Sequence, residues 1–125
     1  MSLSVNIDEN LKLIHLTCSD IISAQDLVDY ERDYWSEPRM LGFNQIIDFA
    51  NALWDVEFSE VFMLAANATM QDGSITGLKT YVVVADAMQA ELAEFYRDTR
   101  HEICPAHIRE IIVCLDINEA LKKLT

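Results

Sequence analysis

At 125 residues the chain falls in the size range of one domain and can bury roughly two thirds of the surface its unfolded form exposes. Its 51% apolar and 24% charged content is that of a globule rather than a disordered tail, and no apolar run approaches the ~20 residues of a membrane-spanning helix. Twenty-one acids against nine dispersed bases give a net charge of −12, which repels phosphate backbones and anionic headgroups and argues against nucleic-acid binding and membrane insertion.

Residues 3–7, LSVNI, alternate as a half-buried strand does. Asp8-Glu9-Asn10 suits a turn and LKLIHLTC (11–18) reads as a second strand, so the two should form an antiparallel hairpin. Ser23 is placed to cap a helix, with Asp26 in the first turn as a variant of the capping box. Leu27, Tyr30 and Tyr34, with Val28 and Trp35 beside them, follow at helical spacing, and Pro38 limits that helix. NQIIDF (44–49) makes a short apolar strand, and Phe58, Val61, Phe62, Ala65 and Ala68 form one helical stripe over 58–69.

QDGSITG (71–77) is loop chemistry, with Gly73 and Gly77 as turn residues. In KTYVVVA (79–85) an unbroken β-branched run points to burial on both faces, as at the centre of a parallel sheet. Residues 87–102 carry Met88, Leu92, Phe95 and Thr99 as a helical stripe, and Pro105 bars its continuation. IREIIVCL (108–115) is the last strand, and Asp116-Ile117-Asn118-Glu119 reads as a capping box opening a short helix through Leu124. The order β-β-α-β-α-β-α-β-α predicts one α/β domain over 1–125: a five-stranded, mixed, mostly parallel sheet with an N-terminal hairpin and four helices.

On DIISAQDL (20–27), IIDFANA (46–52), TYVVVAD (80–86) and IIVCLDINEALKKL (111–124), the chain resembles the SpoIIAA-like branch of the STAS superfamily, relatives of the bacterial anti-sigma factor antagonists. The likeness is diffuse and spans nearly the whole chain. In those antagonists a phosphorylatable serine lies in an Asp-Ser-Ser-Gly-like stretch between the third strand and the second helix. The corresponding region here, ALWDVEFSEVF, lacks the Asp-Ser pair and the glycine, and its one hydroxyl is Ser59, surrounded by Asp55, Glu57 and Glu60. A phosphate adds about −1.5 to −2 charges at neutral pH, which these acids oppose and the positive helix end partly offsets. Ser59 is therefore expected as an N-cap or first-turn residue rather than a phosphosite.

Other chemistry is weakly advertised. Cys18, Cys104 and Cys114 sit far apart in or beside apolar segments, without a CxxC pair. His101, Cys104 and His107 are ligand types, but a helical zinc pair needs histidines at i and i+4, and that position is Pro105, so no metal or other cofactor is expected. His15 and Cys18 share a strand at an odd separation that puts them on opposite faces, so no nucleophile–base pair is expected, and His15 reads as a satisfied or edge-facing side chain. Three glycines are too few and too scattered for a phosphate-cradling loop.

Tyr30, Tyr34, Trp35, Phe43 and Trp54 flank the first helix and third strand. Core packing accounts for them; the sharper reading is an interface or an apolar ligand groove using Tyr30, Tyr34, Trp35 and Trp54. The acidic stretch from Asp20 to Glu60, ten acids against two arginines, adds one strongly negative face. The expected function is a non-enzymatic cytoplasmic regulatory or protein-interaction domain, binding a protein partner or itself as a homodimer. A carrier of a small apolar ligand or lipid is the alternative, and an enzyme ranks third. MSLSVNIDEN lacks a basic region followed by an apolar one, so no signal peptide is expected.

Overall fold

The computed structural model describes residues 3–35, 40, 42–72, 77–104 and 109–124. Strands β1 (Leu3–Asp8), β2 (Leu13–Ser23), β3 (Asn44–Asp55), β4 (Lys79–Val83) and β5 (Glu110–Cys114) form one sheet in chain order. β1 pairs antiparallel with β2, and each later neighbour pairs in parallel. The helices are α1 (Ala24–Tyr30), continued by a π-helical turn over Glu31–Trp35, α2 (Phe58–Asp72), α3 (Ala87–Ile103) and α4 (Ile117–Leu124). The α/β class, the mixed five-stranded sheet, the hairpin and the four helices all stand as the sequence implied.

Because every crossover steps to the next strand in the same direction, one hand of connection brings successive helices to the same face. That face carries the larger core: Ile14, Leu16, Cys18 and Ile22 of β2, Phe49 of β3 and Val82 of β4 pack with Tyr30, Ala68 and Ala93 of α1, α2 and α3. A smaller core, of Leu13, Ile46, Tyr81, Val83 and Cys114, lies on the opposite face under Ala120 of α4. The segment Tyr81–Val84 is buried on both sides, at 0–4% exposure. Its strand is next to the centre rather than at it; β3 is the middle strand.

Two strands run longer than their apolar patterns suggest. β3 pairs with β4 only as far as Asp48, then continues to Asp55 against residues 19–23 of β2. Between Thr17–Asp48 and Ser19–Asn51 the register slips, because β3 advances three residues while β2 advances two. This bulge resets the inward side of β3 from Gln45, Ile47 and Phe49 to Ala52 and Trp54, so strict alternation ends at Phe49 although the strand does not. Asp20, beside the slip, takes φ 58°, the left-handed region that aspartate tolerates better than most residues. Gly77 (φ 81°) turns the chain into β4, as expected of a turn residue, whereas Gly73 lies outside the described residues.

The amphipathic stripes need two corrections. On α2, Val61, Leu64, Ala65 and Ala68 are buried, but Phe58 and Phe62 are 53% and 55% exposed. The buried arc is centred on Val61 and Ala68, and the two phenylalanines fall beyond its edge at Ala65. On α3, Leu92 and Thr99 are buried while Met88, in the first turn, is 72% exposed.

Candidate functional site

Ser23 caps α1 as its position implies: its hydroxyl accepts from the Asp26 amide at 3.2 Å, and the Asp26 carboxylate accepts from the Ser23 amide at 3.0 Å. This fixes the helix start, and so which residues α1 turns to the sheet. Tyr30 is buried and donates its hydroxyl to Gln45 Oε1 on β3 at 2.9 Å. Tyr34, one turn on, is half-buried with its ring 5.6 Å from that of Tyr30. Trp54 is half-buried and meets Phe49 edge-on at 4.4 Å. Trp35 closes the π-helical turn, and its side chain lies outside the described residues. Tyr30 and Tyr34 are joined at the end of α1, Trp54 packs beside Phe49 on β3, and Tyr30 and Trp54 meet as walls of one cavity. Tyr30 is 3% exposed.

Two concavities use these residues. The first is an apolar cavity of about 60 Å³ between the sheet and the helices, walled by Tyr30, Ile47, Trp54, Val61, Leu64 and Tyr96. An apolar cavity of about 150 Å³ holds benzene, so this space, less than half that volume, is small for a lipid chain as it stands. The indole Nε1 of Trp54 is buried and has no partner among the described residues. Glu31 also borders the cavity; it is 5% exposed and accepts from Asn67 Nδ2 at 2.7 Å. The buried Arg100 (1% exposed) donates to the Tyr96 hydroxyl at 3.4 Å and lies 5.8 Å from that ring.

These buried charges escape a reading by residue type. Helical spacing could have found them: Glu31 follows Leu27 by four residues, and Arg100 follows the buried Ala93 by seven.

The second concavity is an open groove of about 350 Å³ between β1 and α1, lined by Leu3 and Val5 on one side and by Asp26, Asp29, Asp33 and Tyr34 on the other, with Tyr30 and Arg32. Arg32 pairs with Asp29 at 3.2 Å and with Asp33 at 3.0 Å, both exposed pairs that contribute little to stability.

Ser59 is an exposed first-turn residue of α2. The neighbouring Glu60 carboxylate reaches back to the Glu57 amide at 2.9 Å, so the reciprocal half of a capping box sits there and Ser59 is not the cap. His15 is half-buried on the opposite face of β2 from Cys18, on a strand flanked by β1 and β3, and its Nε2 is buried without a partner among the described residues, so it is neither the satisfied nor the edge-facing side chain expected. Burial, reinforced by Asp48 and Asp26, pushes the Cys18 thiol up to about 12, which keeps it protonated and unreactive. His107 and Pro105 lie outside the described residues; within those residues, no three His, Cys, Asp or Glu side chains are grouped to hold a metal ion. No helix described is long and apolar enough to cross a membrane.

No protein-family model matches the chain. No curated protein matches it either. Among solved structures it is similar to an uncharacterised DUF3478-family protein with a SpoIIAA-like fold from Shewanella loihica PV-4, at a TM-score of 0.58 and 11% sequence identity, covering 99% of this chain and 94% of that one. The fold is SpoIIAA-like, in agreement with the resemblance read from the sequence.

Proposed function

We propose that the chain is a non-enzymatic regulatory or protein-interaction domain of the cytoplasm, and that the outward face of α2 is its contact surface. The observation that carries this reading is the composition of that face. Phe58, Phe62, Ala66 and Met70 recur every four residues, Met63 lies beside them, and the four large side chains are 49–81% exposed. Residues 61–71 contain no charge. Surface helices ordinarily turn charged side chains to water, and an apolar strip of this kind on an otherwise acidic protein fits a protein partner, heterologous or a second copy. Phe95 extends it, meeting Phe58 edge-on at 5.1 Å. Tyr30 is buried and Tyr34 lines the groove beside β1, and Ser59 serves the helix start rather than a phosphate switch.

The test is a double substitution, Phe62→Glu with Met63→Glu. The variant should keep its melting temperature within a few degrees and lose the self-association or co-purifying protein shown by the parent chain in sedimentation velocity. Association that survives both substitutions overturns the reading.

A second reading, a carrier for a small apolar ligand, has the lining of the interior cavity in its favour and the volume of about 60 Å³ against it. Carriage would require α1 or α3 to move outward. Native mass spectrometry of freshly purified protein checks it: a retained ligand supports the carrier, and a bare chain removes it.

A further inference from the structure

The edge of the sheet beside α1 points to a different surface and a different partner. β1 pairs with β2 alone among the described residues, so one side of its backbone is turned away from the sheet. Edge strands usually discourage further pairing with a lysine, a proline or a bulge; LSVNID contains no lysine or proline, and its register with β2 runs unbroken from Leu3–Cys18 to Asp8–Leu13. Leu3, Val5 and Ile7 turn toward the helical face and Ser4, Asn6 and Asp8 toward the open one.

A strand added at the usual spacing of about 4.8 Å would lie along the groove under α1. Every second side chain of such a strand would meet the wall made by Asp26, Asp29, Asp33 and Tyr34. Among the described residues Arg32 is the one base on that wall, and it is held between two of the aspartates. Asp8 adds a further acid on the open face of the same strand.

We infer that β1 accepts an extended, cationic segment of another protein as a sixth strand, with main-chain hydrogen bonds supplying the pairing and the α1 aspartates selecting lysine or arginine at alternate positions. A second copy of this chain is disfavoured as the occupant. Two β1 edges brought together would oppose one acidic groove with another, on molecules of net charge −12 each.

The probe is a fluorescent ten-residue peptide alternating lysine and valine, titrated against the full chain by anisotropy, with a glutamate–valine peptide as its counterpart. The lysine peptide should bind and the glutamate peptide should not. Asp29→Lys with Asp33→Lys should weaken binding by about tenfold or more, whereas Glu91→Lys with Glu94→Lys, the same charge change on exposed positions of α3, should leave it nearly unchanged. Hydrogen exchange should show new protection at alternate β1 amides when the peptide is bound.

Equal weakening by both reversals reduces the effect to overall charge and overturns the inference, as does binding without β1 protection. Absence of peptide binding also overturns it, as does a dimer whose β1 amides are protected without peptide. If the peptide fails while Phe62→Glu with Met63→Glu still abolishes association, the groove assignment falls and the interaction-domain reading stands.

Discussion

Tyr30 and Gln45, fifteen positions apart in sequence, share a buried hydrogen bond of 2.9 Å that ties the end of α1 to the central strand. Gln45 is 0% exposed, and its amide nitrogen has no partner among the described residues. Tyr30→Phe would strip its carbonyl as well. The expected loss is about 1–3 kcal/mol in urea denaturation, the range for leaving a buried polar group unmet. Adding Gln45→Leu to Tyr30→Phe should recover part of that loss, because removing both partners is cheaper than orphaning one.

Gln89 makes a comparable tie at the other end of β3. Its side-chain carbonyl accepts from the Ala85 amide at 2.8 Å, and its amide donates to the Ala52 carbonyl at 2.8 Å, holding the first turn of α3 against the part of β3 beyond the bulge. Gln89→Met keeps the volume and removes both bonds, so thermal unfolding should report a loss of about 2–4 kcal/mol. Hydrogen exchange in that variant should quicken first around residues 51–55.

Cys18 gives an alkaline signature. Its folded value of about 12 lies above the ordinary 9.0, so the folded state holds the proton more tightly than the unfolded chain. The associated stability is complete below pH 9, falls by about 1.4 kcal/mol per pH unit above it, and is gone once the folded value is passed. Burial raises Cys114 and Tyr81 as well, in the same direction. Denaturation midpoints between pH 8 and 11 should decline less steeply in Cys18→Ala than in the parent chain, whatever the variant loses at neutral pH. At pH 8 a thiol reagent should modify Cys104 before the buried Cys18 and Cys114.

Val61 borders the 60 Å³ cavity and is 2% exposed. Val61→Ile places one further methyl group there and should raise stability by about 0.5–1 kcal/mol, near the transfer value of a single buried carbon. A decrease would mean that the space is already closed to a branched side chain.

The order and type of the elements are legible in the sequence because periodicity, caps and breakers agree along it: Ser23 with Asp26, Gly77 ahead of β4, and the β-branched run at Tyr81–Val84 each say the same thing as their neighbours. Strand ends are less legible. The bulge after Asp48 changes the parity of β3, and no single residue announces it. The exposed Phe58 and Phe62 illustrate a different limit. A helix that is apolar nearly all round reveals that it will be buried, but the side that the fold leaves uncovered depends on where α3 lies. The groove is invisible for a similar reason: Leu3 and Asp29 become neighbours of one space only when the hairpin and α1 share an edge.

The overshoot of β2 and β3 past Asp48 has a mechanical consequence. Ile21 and Leu53, register partners in that ribbon, stand 60% and 68% exposed on the side away from α1–α3. With no β4 alongside, this double strand is braced from one side only, so it should be the first part of the sheet to bend when α3 is pulled or pressed. A load applied at the tip near Trp54 has a direct route into the long helix through the bond from Gln89 to the Ala52 carbonyl.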